Sequence, residues 1–158
     1  MTARRVLFVC TGNTCRSPMA EGIARARAGS GAGAPEFTSA GTWAATGFPA
    51  SEGAVRVAAR HGIDLGSHRS VPLTAGAVAG ADLLVAMTPD HREAAAELFP
   101  AVRALLATEL LPDDDPRHGR PVPDPFGGPD EAYDETWDVL ADCVDALLAR
   151  LEEDGEPA

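Results

Sequence analysis

A single-domain α/β fold, a three-layer sandwich built on a four-stranded parallel sheet, is predicted by three observations. Short β-branched or aromatic apolar runs alternate with helical stretches along the chain. No repeat or linker divides its 158 residues, a length that suits one hydrophobic core; such a core buries about 70% of the unfolded surface. The first apolar run opens into a short loop and then a helix start, as at the C-terminal end of a parallel strand. The domain is expected to span 1–151, with 152–158 as an acidic tail.

Each element has a local cause. Residues 6–9, VLFV, form a buried strand. A helix over 18–28 follows, with Ser17 as its cap, Pro18 at its first position, Glu21 in its first turn, and Met19, Ile23 and Ala24 on one face. A Gly/Ala-rich turn at 29–34 leads to a short strand at 36–39. A helix over 51–61, a central strand at 83–87, a helix over 90–99 and a short strand at 108–111 come next. The last helix, 131–151, has the clearest period, with Trp137, Leu140, Val144, Leu147, Leu148 and Leu151 on one stripe. Cys143 falls among these residues and reads as core filler.

The loop between the first strand and helix, 10–16, carries the chemistry. Backbone N–H groups and the positive end of a helix converge there, which makes an anion site sized for phosphate. Gly12 and Asn13 tolerate positive φ, so the chain can curl and aim successive amides of Thr11, Gly12, Asn13, Thr14, Cys15, Arg16 and Ser17 inward. Helix end and guanidinium favour a thiolate at Cys10 and lower its pKa from the free value of about 8.5. Arg16 offers a planar fork for two phosphoryl oxygens, and Ser17 a hydroxyl for the sulfur. A buried structural cysteine and a zinc pair at Cys10 and Cys15 are the competing readings. Zinc needs two more ligands from Cys143 and the scattered His61, His68, His91 and His118, with Arg16 set as a cation beside the metal, so neither metal nor cofactor is expected. One loop glycine is too few for a dinucleotide fingerprint.

The segment CTGNTCRSPMAE, residues 10–21, resembles the active-site loop of the low-molecular-weight protein-tyrosine-phosphatase family. SAGT at 39–42 is similar to the family's second strand and its following loop, DLLVAM at 82–87 to its third strand, and Asp124-Pro125 to its general-acid loop. The resemblance implies a phosphocysteine at Cys10, general acid from Asp124, and a Ser39 that braces Asn13. Independently, Pro123 and Pro125 hold Asp124 in a stiff turn, and a neighbouring thiolate and phosphate favour its protonated form. A turn acid that caps a helix is the plainer alternative for Asp124. The resemblance further implies that a second loop cysteine, here Cys15, bonds reversibly to the nucleophile under oxidation.

Two departures bear on substrate. Tyrosine-specific relatives usually carry a branched aliphatic residue where this loop has Thr14, and tyrosines after Asp-Pro where this chain has Phe126-Gly127-Gly128. Both features are similar to the bacterial protein-arginine-phosphatase branch, which implies phosphoarginine over phosphotyrosine. A neutral substitution at Thr14 is the alternative. Trp43, Phe48 and Phe126 are candidates for the pocket wall, with core packing as the other reading of Trp43. His68-Arg69-Ser70 resembles a family segment but shows no catalytic task. Thioredoxin-coupled arsenate reductases resemble this loop too, yet they need relay cysteines that residues 80–100 lack. A small-thiol-coupled arsenate reductase and a phosphate-binding or phosphocarrier module stay as minor alternatives.

The formal charge of −11, from 24 acidic and 13 basic residues, argues against nonspecific nucleic-acid binding and is compatible with basic protein partners, while the family resemblance implies phosphorylated proteins as substrates. No apolar run reaches membrane-spanning length, and the chain starts straight into a core strand without a signal-peptide pattern. With a needed thiol among three cysteines, the cytoplasm is the expected compartment and a monomer the expected state.

Overall fold

Two parallel neighbours flank the first strand. β1 (Arg5–Cys10) pairs with β2 (Glu36–Gly41) on one side and β3 (Leu83–Ala86) on the other, and β4 (Arg103–Leu106) adds beside β3, giving the order β2-β1-β3-β4. The computed structural model describes residues 4–155. Helices make every crossover: α1 (Arg16–Ala28) after β1, α2 (Glu52–Arg60) and the one-turn α3 (Ala75–Val78) after β2, and α4 (Pro89–Leu98) after β3, with α5 (Asp130–Gly155) last.

Side chains alternate across a strand, so β1 feeds two cores. Val6, Phe8 and Cys10, with Phe37 and Val85, pack against Met19, Ile23, Trp137 and Leu147 of α1 and α5. Leu7 and Val9, with Ala40 and Leu84, pack against Val78 and Ala95 of α3 and α4. Both faces of the sheet are covered, which is why the first strand reads as an unbroken apolar run. The stripe on α5 is buried as expected, apart from a half-buried Leu148, and Trp137 stacks on His61 with ring centroids 4.8 Å apart. Cys143 is buried in the same core, where burial pushes its thiol up to about 12.

Several expectations need correcting. The fourth strand is Arg103–Leu106, whereas 108–111 falls mostly in a 3-10 turn, Ala107–Leu110. Leu105 and Leu106 pair with Val85 and Ala86, while the Thr108 hydroxyl donates to Arg120 O at 2.6 Å and fixes the turn. Helix α1 begins at Arg16, with Cys15 as N-cap and no capping side chain. Ser17 therefore sits inside the first turn and its hydroxyl serves another partner, and Glu21 lies beyond that turn. Helix α3 had no period to betray it; Thr74 caps it, accepting from Ala77 N at 3.2 Å. Helix α5 runs past Leu151 to Gly155, so the first part of the acidic stretch is helical, and 156–158 lie outside the described residues.

Candidate active site

The loop from Cys10 to Arg16 lies where β1 ends and α1 begins, at the carboxyl edge of the sheet. Asn13 organises it. It has φ of 57°, the positive value its type tolerates, and each polar group of the residue has a partner. Its Oδ1 accepts from Val71 N at 2.9 Å, which leaves Nδ2 to donate to Ser17 Oγ at 2.8 Å and to Ser39 Oγ at 2.9 Å. Both hydroxyl protons are then directed elsewhere: Ser39 donates to Glu21 Oε1 at 2.6 Å, and Ser17 donates to Cys10 Sγ at 2.8 Å. Asn13 N–H also reaches the sulfur, at 3.3 Å. Gly41 of β2 lies so close beneath the loop that a Cβ there would sit 2.3 Å from Thr11 O, so only glycine fits.

Cys10 is buried at the base of a cavity of about 610 Å³. Burial pushes its thiol up from the ordinary value and is the largest influence; the Ser17 hydroxyl, the Arg16 charge and the Asn13 N–H pull it down. The lowering expected from sequence is thus outweighed, among these neighbours, by the desolvation of a buried sulfur. The fixed dipole of the α1 N-terminus acts on the same side as Ser17. Ser17→Ala is expected to raise the Cys10 pKa further, read from the pH dependence of iodoacetamide alkylation; an unchanged profile would remove Ser17 from this role.

Arg16 is buried, its Nη1 donating to Val122 O at 3.3 Å and its Nη2 lying 3.5 Å from Asp124 Oδ2. Asp124 is half exposed between its two prolines, and its Oδ1 accepts from Phe126 N at 3.2 Å in a tight turn. Val122 N donates to Met87 O at 2.8 Å, and Thr136 Oγ1 donates to Pro123 O at 3.0 Å, so the residue after β3 and the helix α5 anchor that turn. Thr14 lines the cavity, and its carbonyl accepts from Ser51 N at 2.8 Å. Trp43 is 85% exposed and Phe126 70% exposed on the cavity rim, with Phe48 beside them, so Trp43 belongs to the wall and not to the core. Cys15 is a free thiol whose Sγ lies 3.1 Å from Ser51 Oγ and 3.6 Å from Tyr133 OH. Cys10, Thr11, Gly12, Thr14, Cys15, Arg16, Trp43, Asp124 and Phe126 thus line one cavity, with Asn13, Ser17 and Ser39 bonded to one another behind Cys10.

Sequence reasoning noted His68 without a task for it and passed over His91 as a site residue. His68 Nε2 lies 2.7 Å from Asn13 O, and His91 Nε2 lies 2.7 Å from Thr11 Oγ1. Burial, and then the charge of Arg16, hold His91 down at about 4 despite the upward pull of Asp90 and Asp124, so its ring is neutral near pH 7. His91 follows β3 at a strand's carboxyl end, the one signal that pointed to this edge.

A cysteine seated in an amide loop at a helix N-terminus, with a buried arginine and a facing aspartate, defines a cysteine-dependent phosphatase site. Residues 5–156 match the family described as "Low molecular weight phosphotyrosine protein phosphatase", and the chain belongs to that family of cysteine-dependent protein phosphatases. It is similar to a protein-arginine-phosphatase of Geobacillus stearothermophilus, 37% identical over 150 residues that cover 94% of this chain and 96% of the relative. Among solved structures it is similar to a low molecular weight protein tyrosine phosphatase from T. tengcongensis, at TM-score 0.84 and 41% identity, covering 94% of this chain and 100% of that one. It is similar also to a cysteine-to-serine mutant of YwlE arginine phosphatase with a phosphorylated active site serine, at TM-score 0.83 and 35% identity, covering 96% and 97%. No helix among the described residues is long and apolar enough to cross a membrane.

Proposed function

We propose that this phosphatase prefers phosphoarginine in protein substrates, with phosphotyrosine a weaker substrate, and cleaves both through a phosphocysteine on Cys10. The observation that carries the reading is the convergence of Cys10, Arg16 and Asp124 on one cavity with the hydroxyl-bearing Thr14 in its wall. The arginine-phosphatase relative supports the substrate, and the phosphorylated serine of the mutant relative supports the covalent step.

The sulfur of Cys10 attacks phosphorus as the thiolate, the form that the Ser17 hydroxyl, the Arg16 charge and the Asn13 N–H favour against the burial that opposes it. An S–P bond forms while the P–N bond of phosphoarginine, or the P–O bond of phosphotyrosine, breaks, and Asp124 gives its proton to the departing atom. Water then attacks phosphorus, Asp124 takes its proton, the S–P bond breaks, and inorganic phosphate leaves with the thiolate restored. Arg16 and the loop amides of Thr11, Gly12, Thr14, Cys15 and Ser17 hold the equatorial oxygens as charge spreads over them.

Thr14 presents a hydroxyl and little bulk, which suits a polar guanidinium better than a phenyl ring. The exposed Trp43 and Phe126 favour the second reading, an aromatic slot for phosphotyrosine. Matched peptides decide between them: kcat/KM is expected to be higher for phosphoarginine, and Thr14→Ile is expected to move the ratio toward phosphotyrosine by about 10-fold. A variant that keeps the wild-type ratio would make Thr14 neutral, and a wild-type preference for phosphotyrosine would reverse the assignment. Three free thiols support a reducing compartment, and we read the protein as a cytoplasmic monomer whose catalytic domain takes in α5 to its end at Gly155.

A further inference from the structure

This mechanism leaves Cys15 and His91, both buried and ionisable at the site, unused; His91 is the one that reaches the loop from another element. It belongs to the first turn of α4, its backbone N–H donating to the Thr88 cap at 3.2 Å, and the residue is 6% exposed. Nε2 meets Thr11 Oγ1 at 2.7 Å, whereas Nδ1 is buried with no hydrogen-bond partner among the described residues. Thr11 follows the nucleophile directly, is exposed, and lines the cavity.

A neutral imidazole carries one N–H and one lone pair, so two arrangements exist. With the proton on Nδ1, a buried N–H is orphaned, and Thr11 must spend its own proton on Nε2, turning only lone pairs toward the cavity. With the proton on Nε2, the ring donates to Thr11 Oγ1, the orphan is a lone pair, and the hydroxyl proton is free to point at a ligand. Orphaned buried donors are rarer than under-satisfied acceptors, which favours the second arrangement. The ligand chemistry favours it as well, because phosphoryl oxygens only accept hydrogen bonds and are repelled by bare lone pairs. Burial, then the nearby charge of Arg16, and the N-terminal end of α4 oppose a protonated ring more than Asp90 and Asp124 favour it, so the choice lies between the two neutral forms.

We infer that His91 is a positioning residue: as the Nε2–H tautomer it takes Thr11 Oγ1 as acceptor and turns that hydroxyl's proton onto a phosphoryl oxygen of the substrate. The inference rests on the phosphatase reading of the cavity but not on the choice between phosphoarginine and phosphotyrosine. Thr11 then adds a side-chain donor to the loop amides, aimed by a residue on a different element.

The tautomer can be read directly on the full chain, by long-range 1H–15N correlation of 15N-labelled histidines near neutral pH. The expected result is a pyrrole-type Nε2 and a pyridine-type Nδ1 for His91; the reverse assignment, or a doubly protonated ring, would overturn the proposal. Kinetics with p-nitrophenyl phosphate supply the second test. Thr11→Val and His91→Phe are each expected to lower kcat by about 10- to 100-fold with KM little changed. The double variant should be no slower than the worse single one, Thr11→Ser should keep most of the rate, and His91→Gln, which restores an N–H donor, should recover part of it. Additive losses, or a wild-type rate in Thr11→Val, would sink the idea even if His91→Phe does not fold. A phosphatase that meets these expectations yet prefers phosphotyrosine would overturn the substrate assignment and leave the His91 role standing.

Discussion

Cys10→Ser is expected to lose turnover by on the order of 10⁶-fold while keeping the fold and the phosphate site. A rate loss of that size corresponds to about 8 kcal/mol of barrier. It follows from replacing a thiolate with an alcohol that stays protonated. The substitution is nearly isosteric, and the two donors that now reach the sulfur, Ser17 Oγ and Asn13 N, can bond the serine oxygen instead. Asn13, Ser39, His68 and Val71 should therefore hold the loop unchanged, since none of their bonds to one another involves the nucleophile. Phosphate release from a phosphoarginine peptide measures the loss, thermal melting checks the fold, and intact mass checks whether a phosphoryl group accumulates on the serine, as in the mutant relative. Turnover near the wild-type rate in a folded Cys10→Ser protein would exclude Cys10 as the nucleophile.

How much of this was legible in the chain depends on how local the cause is. The β1–loop–α1 unit declares itself within a dozen residues, because an apolar strand, φ-permissive residues and a proline in a helix's first turn are neighbours in sequence. Ser17 shows the limit of that reading. Its type fits a cap and a sulfur donor equally, and the choice is made by Asn13, whose side chain is in turn oriented by Val71 from a distant segment. The fourth strand slipped toward 108–111 because both stretches carry leucines; only the partner, β3, selects Arg103–Leu106. Trp43 could not be placed either, since exposure on a rim is a property of the loops around it and not of an aromatic residue in itself. His68 could be noted only through a resemblance, without a role, and His91 not at all as a site residue, for a similar reason. Each meets the loop through one atom across a long stretch of chain, and a lone histidine carries no pattern.

Asp124→Ala is expected to lower kcat by about 10²- to 10⁴-fold, and the loss should depend on the leaving group. Where the departing atom is a poor leaving group, as in phosphoarginine or phosphotyrosine, the missing proton slows formation of the phosphocysteine. With p-nitrophenyl phosphate that step needs little help, so the loss should be smaller, and slow water attack should let the phosphocysteine build up as a burst. Alanine also removes the turn that Asp124 Oδ1 makes with Phe126 N and the ion pair with Arg16 at 3.5 Å, so a rate loss alone does not separate proton transfer from positioning. Asp124→Asn separates them. Its amide oxygen can keep the bond to Phe126 N, yet it has no proton to give at neutral pH. If the asparagine variant loses as much as the alanine variant and shows the same leaving-group dependence, proton transfer is the role. If it keeps most of the wild-type rate, Asp124 works by holding the turn and Arg16, and the departing group must find its proton elsewhere. The first outcome is the expected one, because Asp124 is half exposed at the cavity and anchored from behind by Thr136 and Met87, which fix the backbone of this turn without help from its carboxylate.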